Sequence, residues 1–135
     1  MLATLPSLER RYHGPMAPLR LLGGLLVVAG LVLVCAPTLV SDPGPAADTF
    51  AAIERRIPYG GIAGLGALFI ARTQLRPWTV TVASVVLWVT TGLLVARCIG
   101  LVLDGADDQR QWLWVAVEAA IALAAGLYVR HRRDA

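Results

Sequence analysis

The sequence contains no lysine; all 12 of its basic side chains are arginine. Charge of either sign is scarce, at 16% of 135 residues, where a soluble domain carries roughly 25%. There are only two cysteines and two histidines. Cys35 and Cys98 form no C-x-x-C and no Cys/His spacing suited to zinc. His13 and His131 lie in the terminal segments, away from any polar centre. No G-x-G-x-x-G, no Walker loop and no Ser/His/Asp set is present. These absences exclude the usual motif-borne dinucleotide, nucleotide and triad chemistries. No catalytic residue, no metal ligand and no cofactor is assigned.

Apolar residues are what the chain has in abundance. They make up 57% of it, and the mean hydropathy is +0.67. The net charge of +3 and a pI near 9.4 resemble a nucleic-acid signature. The arginines, however, flank apolar runs and form no basic face, so the expected partner is a lipid bilayer and not a nucleic acid.

Four apolar runs predict an all-α, four-helix transmembrane bundle, up-down-up-down. The expected spans are about 20–40, 55–72, 78–103 and 112–129, within a membrane domain at 19–129. Residues 1–18 form a polar lead and 130–135 a basic tail. A signal peptide is the competing reading of the first run. It fits poorly, because the lead is long, the apolar run is long and no A-x-A site follows Val34-Cys35-Ala36. The second run is short: residues 58–71 cover only about 21 Å at helical rise. Phe50–Ile57 either extends that helix or lies in the headgroup layer, with Pro58 at a bend or at the first helical position. Asp48 or Thr49 is placed to cap it.

Arginine counts set the orientation. With the N-terminus inside, the inner side carries Arg10, Arg11, Arg20, Arg72, Arg76, Arg130, Arg132 and Arg133. The outer side carries Arg55, Arg56, Arg97 and Arg110, with Asp42, Asp48, Asp104, Asp107 and Asp108. Both termini are therefore expected in the cytoplasm, the protein being a multi-pass one of the bacterial inner membrane. Trp78 and Tyr128 fit the inner interface, and Tyr59, Trp112 and Trp114 the outer. Trp88 falls mid-membrane, where packing is its expected role.

Two charges interrupt the last two spans. Arg97 and Glu118 stand symmetrically about the Asp107-Asp108 turn, each six residues inside its helix, or about 9 Å deep. A charge at depth costs at least a few kcal/mol unless paired or hydrated. Pairing across the hairpin is the simplest remedy. Glu118 shares a face with Ala122 and Ala125, so it should point into the bundle. One reading is a polar pocket in the outer half. The other is a structural ion pair that sets helix register, and Arg97 can also snorkel to the headgroups. Glu54 or Arg55 would complete the cluster, and Arg55 shares a face with Tyr59. Arg56 is expected to be a charged helix start among headgroups.

Gly60-x-x-x-Gly64, with Gly61, marks a close-approach helix face, read as packing within the bundle before a homodimer face. Asp104-Gly105-Ala106-Asp107-Asp108 lacks the EF-hand order, and one of these aspartates can cap the last helix. Cys35 and Cys98 are expected as buried free thiols, with a disulfide as the alternative.

Three blocks together resemble the DUF4345 family of small four-helix bacterial membrane proteins of unknown function. Glu54-Arg55-Arg56-Ile57-Pro58-Tyr59-Gly60-Gly61-Ile62-Ala63-Gly64-Leu65-Gly66 is similar to its E-(L/I)-R-x-x-Y-G-G-(L/x)-x-x-G-x-G stretch. Ala96-Arg97 with Asp104-Gly105 is similar to its G-R-x-x-(S/G)-x-x-x-D-G, Ala96 replacing the usual Gly and Gly100 standing near the usual small residue. Glu118 in the last helix is the third. The likeness spans most of residues 20–129 and implies a four-helix membrane bundle with a shared polar site, but no activity.

The first functional expectation is a non-enzymatic binder of a lipid or small amphipathic ligand, at a site of Glu54, Arg55, Tyr59, Arg97, Asp104 and Glu118. Arg97 would hold an anion and Glu118 orient it. The alternative is an accessory or assembly subunit that meets a membrane-protein partner, or its own copies, through the glycine-lined helix. A membrane enzyme or small transporter ranks last, since neither a nucleophile nor a convincing repeat is visible.

Overall fold

The computed structural model describes residues 16–40, 44–71 and 78–134. Among these, every regular element is helical. The helices are α1 (Met16–Cys35), α2 (Thr49–Glu54), α3 (Ile57–Ala71), α4 (Trp78–Asp104) and α5 (Gln109–Asp134), with one 3₁₀ turn at Pro37–Leu39. The expected N-terminal lead, up to residue 15, and the segment 72–77 between α3 and α4 lie outside the described residues.

Three helices are long and apolar enough to cross a membrane: Pro18–Cys35, Thr79–Asp104 and Gln109–Arg132. The first helix ends before residue 40 because Pro37 cannot supply the N–H that a further turn needs. The preceding residue, Ala36, is pushed out of the helical region to φ −134°, ψ 71°. The second apolar segment is split. Asp48 Oδ1 accepts from the Ala51 N–H at 2.7 Å and starts α2. The chain then turns at Arg55-Arg56 and restarts as α3, with Pro58 in its first turn, where a missing N–H costs nothing. At this same end of the bundle, the one that the arginine count leads one to expect on the outer side, α4 stops at Gly105. Its φ of +110° is one that few other residues tolerate.

The four principal helices pack in chain order, α1 on α3, α3 on α4 and α4 on α5, while α2 lies against the outer end of α4. Neighbours run antiparallel. Gly23 and Gly30 of α1 face Gly66 and Ala63 of α3, Gly60 and Gly64 of α3 face Gly92 and Trp88 of α4, and Gly126 of α5 faces Leu87 of α4. Small residues make the α3–α4 contact. A Cβ on Gly60 would strike the Gly92 carbonyl, and one on Gly64 the Trp88 carbonyl, so the backbones touch directly. Trp88 thus serves the packing at mid-helix.

Two hydroxyls of α4 are satisfied within the helix. Ser84 Oγ donates to the Val80 carbonyl at 2.6 Å and Thr91 Oγ1 to the Leu87 carbonyl at 2.7 Å, which removes the penalty of an open hydroxyl in hydrocarbon. The outward faces are apolar and exposed: Leu25 and Val28 on α1, Leu113, Leu123 and Leu127 on α5. Such faces suit lipid contact and not water. Cys35 and Cys98 are free thiols, but they lie on the outward surface and not in the core. An apolar run marks a helix as membrane-facing or core-facing alike, so it does not decide which way a thiol points.

Candidate polar site

Among the described residues, the buried charged side chains are Arg56, Arg97 and Glu118, and all three lie towards the end of the bundle where α2 meets α3 and α4 meets α5. Arg97 is on α4, seven residues before the terminal Asp104. Its side chain is only 3% exposed. Nε donates to Glu118 Oε2 at 3.2 Å and Oε1 at 3.3 Å, and Nη2 to Glu118 Oε1 at 2.9 Å. Nη1 donates to Glu54 Oε1 at 2.7 Å and to Gln111 Oε1. The centre of the Trp114 ring lies 5.9 Å from the guanidinium carbon, a cation–π distance.

Gln111 is fully buried, and its Nε2 turns back to the Phe50 carbonyl at 3.4 Å and Glu54 Oε1 at 3.5 Å. One guanidinium therefore ties α4 to α2 and to the outer turns of α5.

A second clamp stands beside the first. Arg56, in the turn between α2 and α3, is 9% exposed. It holds Asp104 in a two-point pair, Nε to Oδ2 at 2.7 Å and Nη2 to Oδ1 at 2.8 Å. Its Nη1 donates to the Val34 and Cys35 carbonyls at 2.6 and 3.0 Å. These are the last carbonyls of α1, which have no partner within the helix. Forked arginine–carboxylate pairs are the stronger kind of ion pair and fix geometry as well as charge.

The structure thus joins Arg97, Glu118 and Glu54 in one cluster and gives Asp104 to Arg56. It exchanges the expected roles of the two neighbouring arginines. Arg55 turns to the Gly44 and Pro45 carbonyls at 2.6 and 3.2 Å, on the exposed first loop. Arg56 is the buried one. Tyr59 is half-buried and its side chain makes none of the cluster's hydrogen bonds. Gly60, Gly61 and Gly64 line the α3–α4 contact, with Gly61 against Leu93.

Gln111 joins the site although the charge pattern does not point to it. A signal is present: it lies seven residues before Glu118, two turns along the same face. Arg56 has no such signal, because it lies in the break between α2 and α3, outside both helices.

In the first turn of α5, Arg110 closes the α4–α5 turn. It pairs with Asp108 at 2.5 Å, reaches Asp48 at 3.6 Å and stacks on Phe50 at 4.4 Å. Hydrogen bonds from the Arg110 side chain and N–H hold the Asp108 carboxyl below the usual carboxylate range.

Among the described residues, no buried side-chain nitrogen or oxygen lacks a partner. Nor, among them, does any group of three His, Cys, Asp or Glu side chains stand ready to hold a metal. Arg97 is engaged by acceptors of the chain itself, so an incoming anion has to displace one of them. Glu54 is the member best placed to yield, its side chain being 38% exposed against 9% for Glu118.

Below the cluster, α1, α3 and α4 enclose an apolar groove of about 220 Å³. Leu31 and Val34 line it from α1, Gly64 from α3, and Trp88, Val95 and Ala96 from α4. Its outer end is Val34, whose carbonyl Arg56 holds.

Comparison with curated proteins and with solved structures finds no match. Residues 18–129 match one family, described as a domain of unknown function, and they take in every element of the polar site. The chain belongs to the DUF4345 family.

Proposed function

We propose that the protein is a non-enzymatic binder of a lipid or small amphipathic molecule in the bacterial inner membrane. In this reading the chain crosses four times with both termini in the cytoplasm, α3 being the short crossing. The apolar part of the ligand occupies the groove between α1 and α4, and its polar end meets the cluster above. The observation that carries the reading is the junction of the two: the groove ends on Val34, at the foot of the Arg56 clamp. Sites for small ligands are typically apolar clefts with a few convergent polar groups. Glu54, Arg97, Asp104 and Glu118 are the polar wall, and Glu54 is its accessible edge. Arg55 and Tyr59 stand outside the hydrogen-bond network and serve only as contacts to a bound head group.

Ala67→Phe tests the reading, because Ala67 lines the groove far from the charges. Native mass spectrometry of protein extracted in mild detergent should show a bound lipid-sized mass on the natural chain and lose it in the variant. Equal occupancy in both, with the variant as helical as the parent, ends the proposal.

The alternative is an assembly subunit. It is favoured by α5, which packs chiefly on α4 and exposes Ala116, Ala120 and Ala124 in one row. Such a row permits close approach by another helix. Extraction under the same conditions would then yield a stoichiometric membrane-protein partner, retained by the parent and released by Ala120→Leu.

A further inference from the structure

We propose that Cys35 and Cys98 form a dithiol modification site that closes to an intramolecular disulfide between α1 and α4. Its reactant is a small disulfide-bearing oxidant.

Both thiols are exposed. They also line the same pocket, of about 350 Å³, together with Ile99, Val102 and Leu103. Two of the five side chains around that space are therefore thiols, one from each helix.

Helix register brings them level. Gly30 of α1 packs on Tyr59 and Ala63 of α3, and Gly60 of α3 packs on Gly92 and Ala96 of α4. Residue 30 thus stands level with about residue 94 across the intervening helix. α1 and α4 are both antiparallel to α3, so they run parallel to each other and keep that offset. Five residues further on, Cys35 stands level with about residue 99, beside Cys98. The clamp agrees, since Arg56 holds the Cys35 carbonyl with one nitrogen and Asp104, the end of α4, with the others. A disulfide needs neighbouring Cβ atoms at matched height, and the shared pocket with this register supplies the height.

The chemistry is thiol–disulfide exchange. One cysteine thiolate attacks R–S–S–R, forming a mixed disulfide and releasing R–S⁻. The second thiolate attacks the cysteine sulfur of that mixed disulfide and releases the second R–S⁻. The two protons lost by the cysteines end on the two R–SH products. The protein is oxidised by two electrons and the reagent is reduced by two. The bond joins helices that otherwise meet chiefly through α3, and it encloses α2 and α3 in the loop between them.

Dipyridyl disulfide is the probe, applied to the full chain in detergent. Two equivalents of thiopyridone should be released per chain. The product should stay monomeric on a non-reducing gel and carry no adduct. Trypsin should yield residues 21–55 joined to residues 98–110, a linkage that reduction undoes. Cys35→Ser and Cys98→Ser should each keep one stable pyridylthio adduct, which shows that the partner thiol is what resolves it. Two persistent adducts on the natural chain would overturn the proposal. So would a disulfide found only between two copies.

Discussion

Arg97→Leu is expected to destabilise the protein by about 3–5 kcal/mol, the range for removing one partner of a buried ion pair. The side chain is 3% exposed and engages Glu118, Glu54 and Gln111 at once. Its loss strands the Glu118 carboxylate, itself only 9% exposed, among apolar helices. Removing the charge from both sides behaves differently. Arg97→Leu with Glu118→Leu should recover much of the loss, because apolar pairs of similar volume often replace buried ion pairs without penalty. Arg97→Lys should fall between, since an ammonium cannot meet Glu118 with two nitrogens while reaching Glu54 and Gln111. Unfolding in mixed micelles, followed by circular dichroism, measures all three. If Arg97→Leu unfolds with the parent, the cluster contributes nothing to the stability of the fold.

Gly92→Val is expected to be at least as severe. A Cβ there meets the Gly60 carbonyl and lies 2.8 Å from the Gly64 nitrogen. Both obstacles are backbone, so no rotamer change relieves them. Overpacking typically costs about 1–3 kcal/mol when side chains can shift, and here α3 has to move away from α4 as a body. The α3 lining of the groove and the level of Arg56 move with it. Gly24→Ala is the internal control: nothing lies within 4 Å of a Cβ at that position. It should leave the melting temperature unchanged or raise it slightly, as alanine is the better helix former by roughly 0.5–1 kcal/mol. The two substitutions are separated by thermal unfolding of the purified protein, and equal melting temperatures would contradict the close contact.

Hydropathy and arginine placement are enough to put the chain among membrane proteins and to locate its long helices. The reason is that an apolar solvent acts on composition along the chain, residue by residue. The Arg97–Glu118 pair is legible for a related reason. In a regular antiparallel hairpin, equal distances from the turn mean equal depth, and two opposite charges at one depth in hydrocarbon have few other partners.

The neighbouring arginines are a different case. Arg55 and Arg56 are adjacent, and their directions depend on the phase of the helix that carries them. The chain breaks between α2 and α3 at those two residues, so neither helix's periodicity extends through them. Only the packing of α3 against α1 and α4 decides that Arg56 turns inward to Asp104 and the end of α1. Gln111 is hidden for another reason. A neutral amide leaves no mark in a charge count, though burial makes it a full member of the network.

The groove and the levelled cysteines belong wholly to the tertiary structure. Each draws on α1 and α4, separated by more than forty residues of sequence, and their alignment is set by glycine contacts through α3. Local pattern determined which segments are helical and which of their charges need partners. The register of one helix on the next determined which partners they found, because that register is fixed by backbone contact between residues distant in the chain.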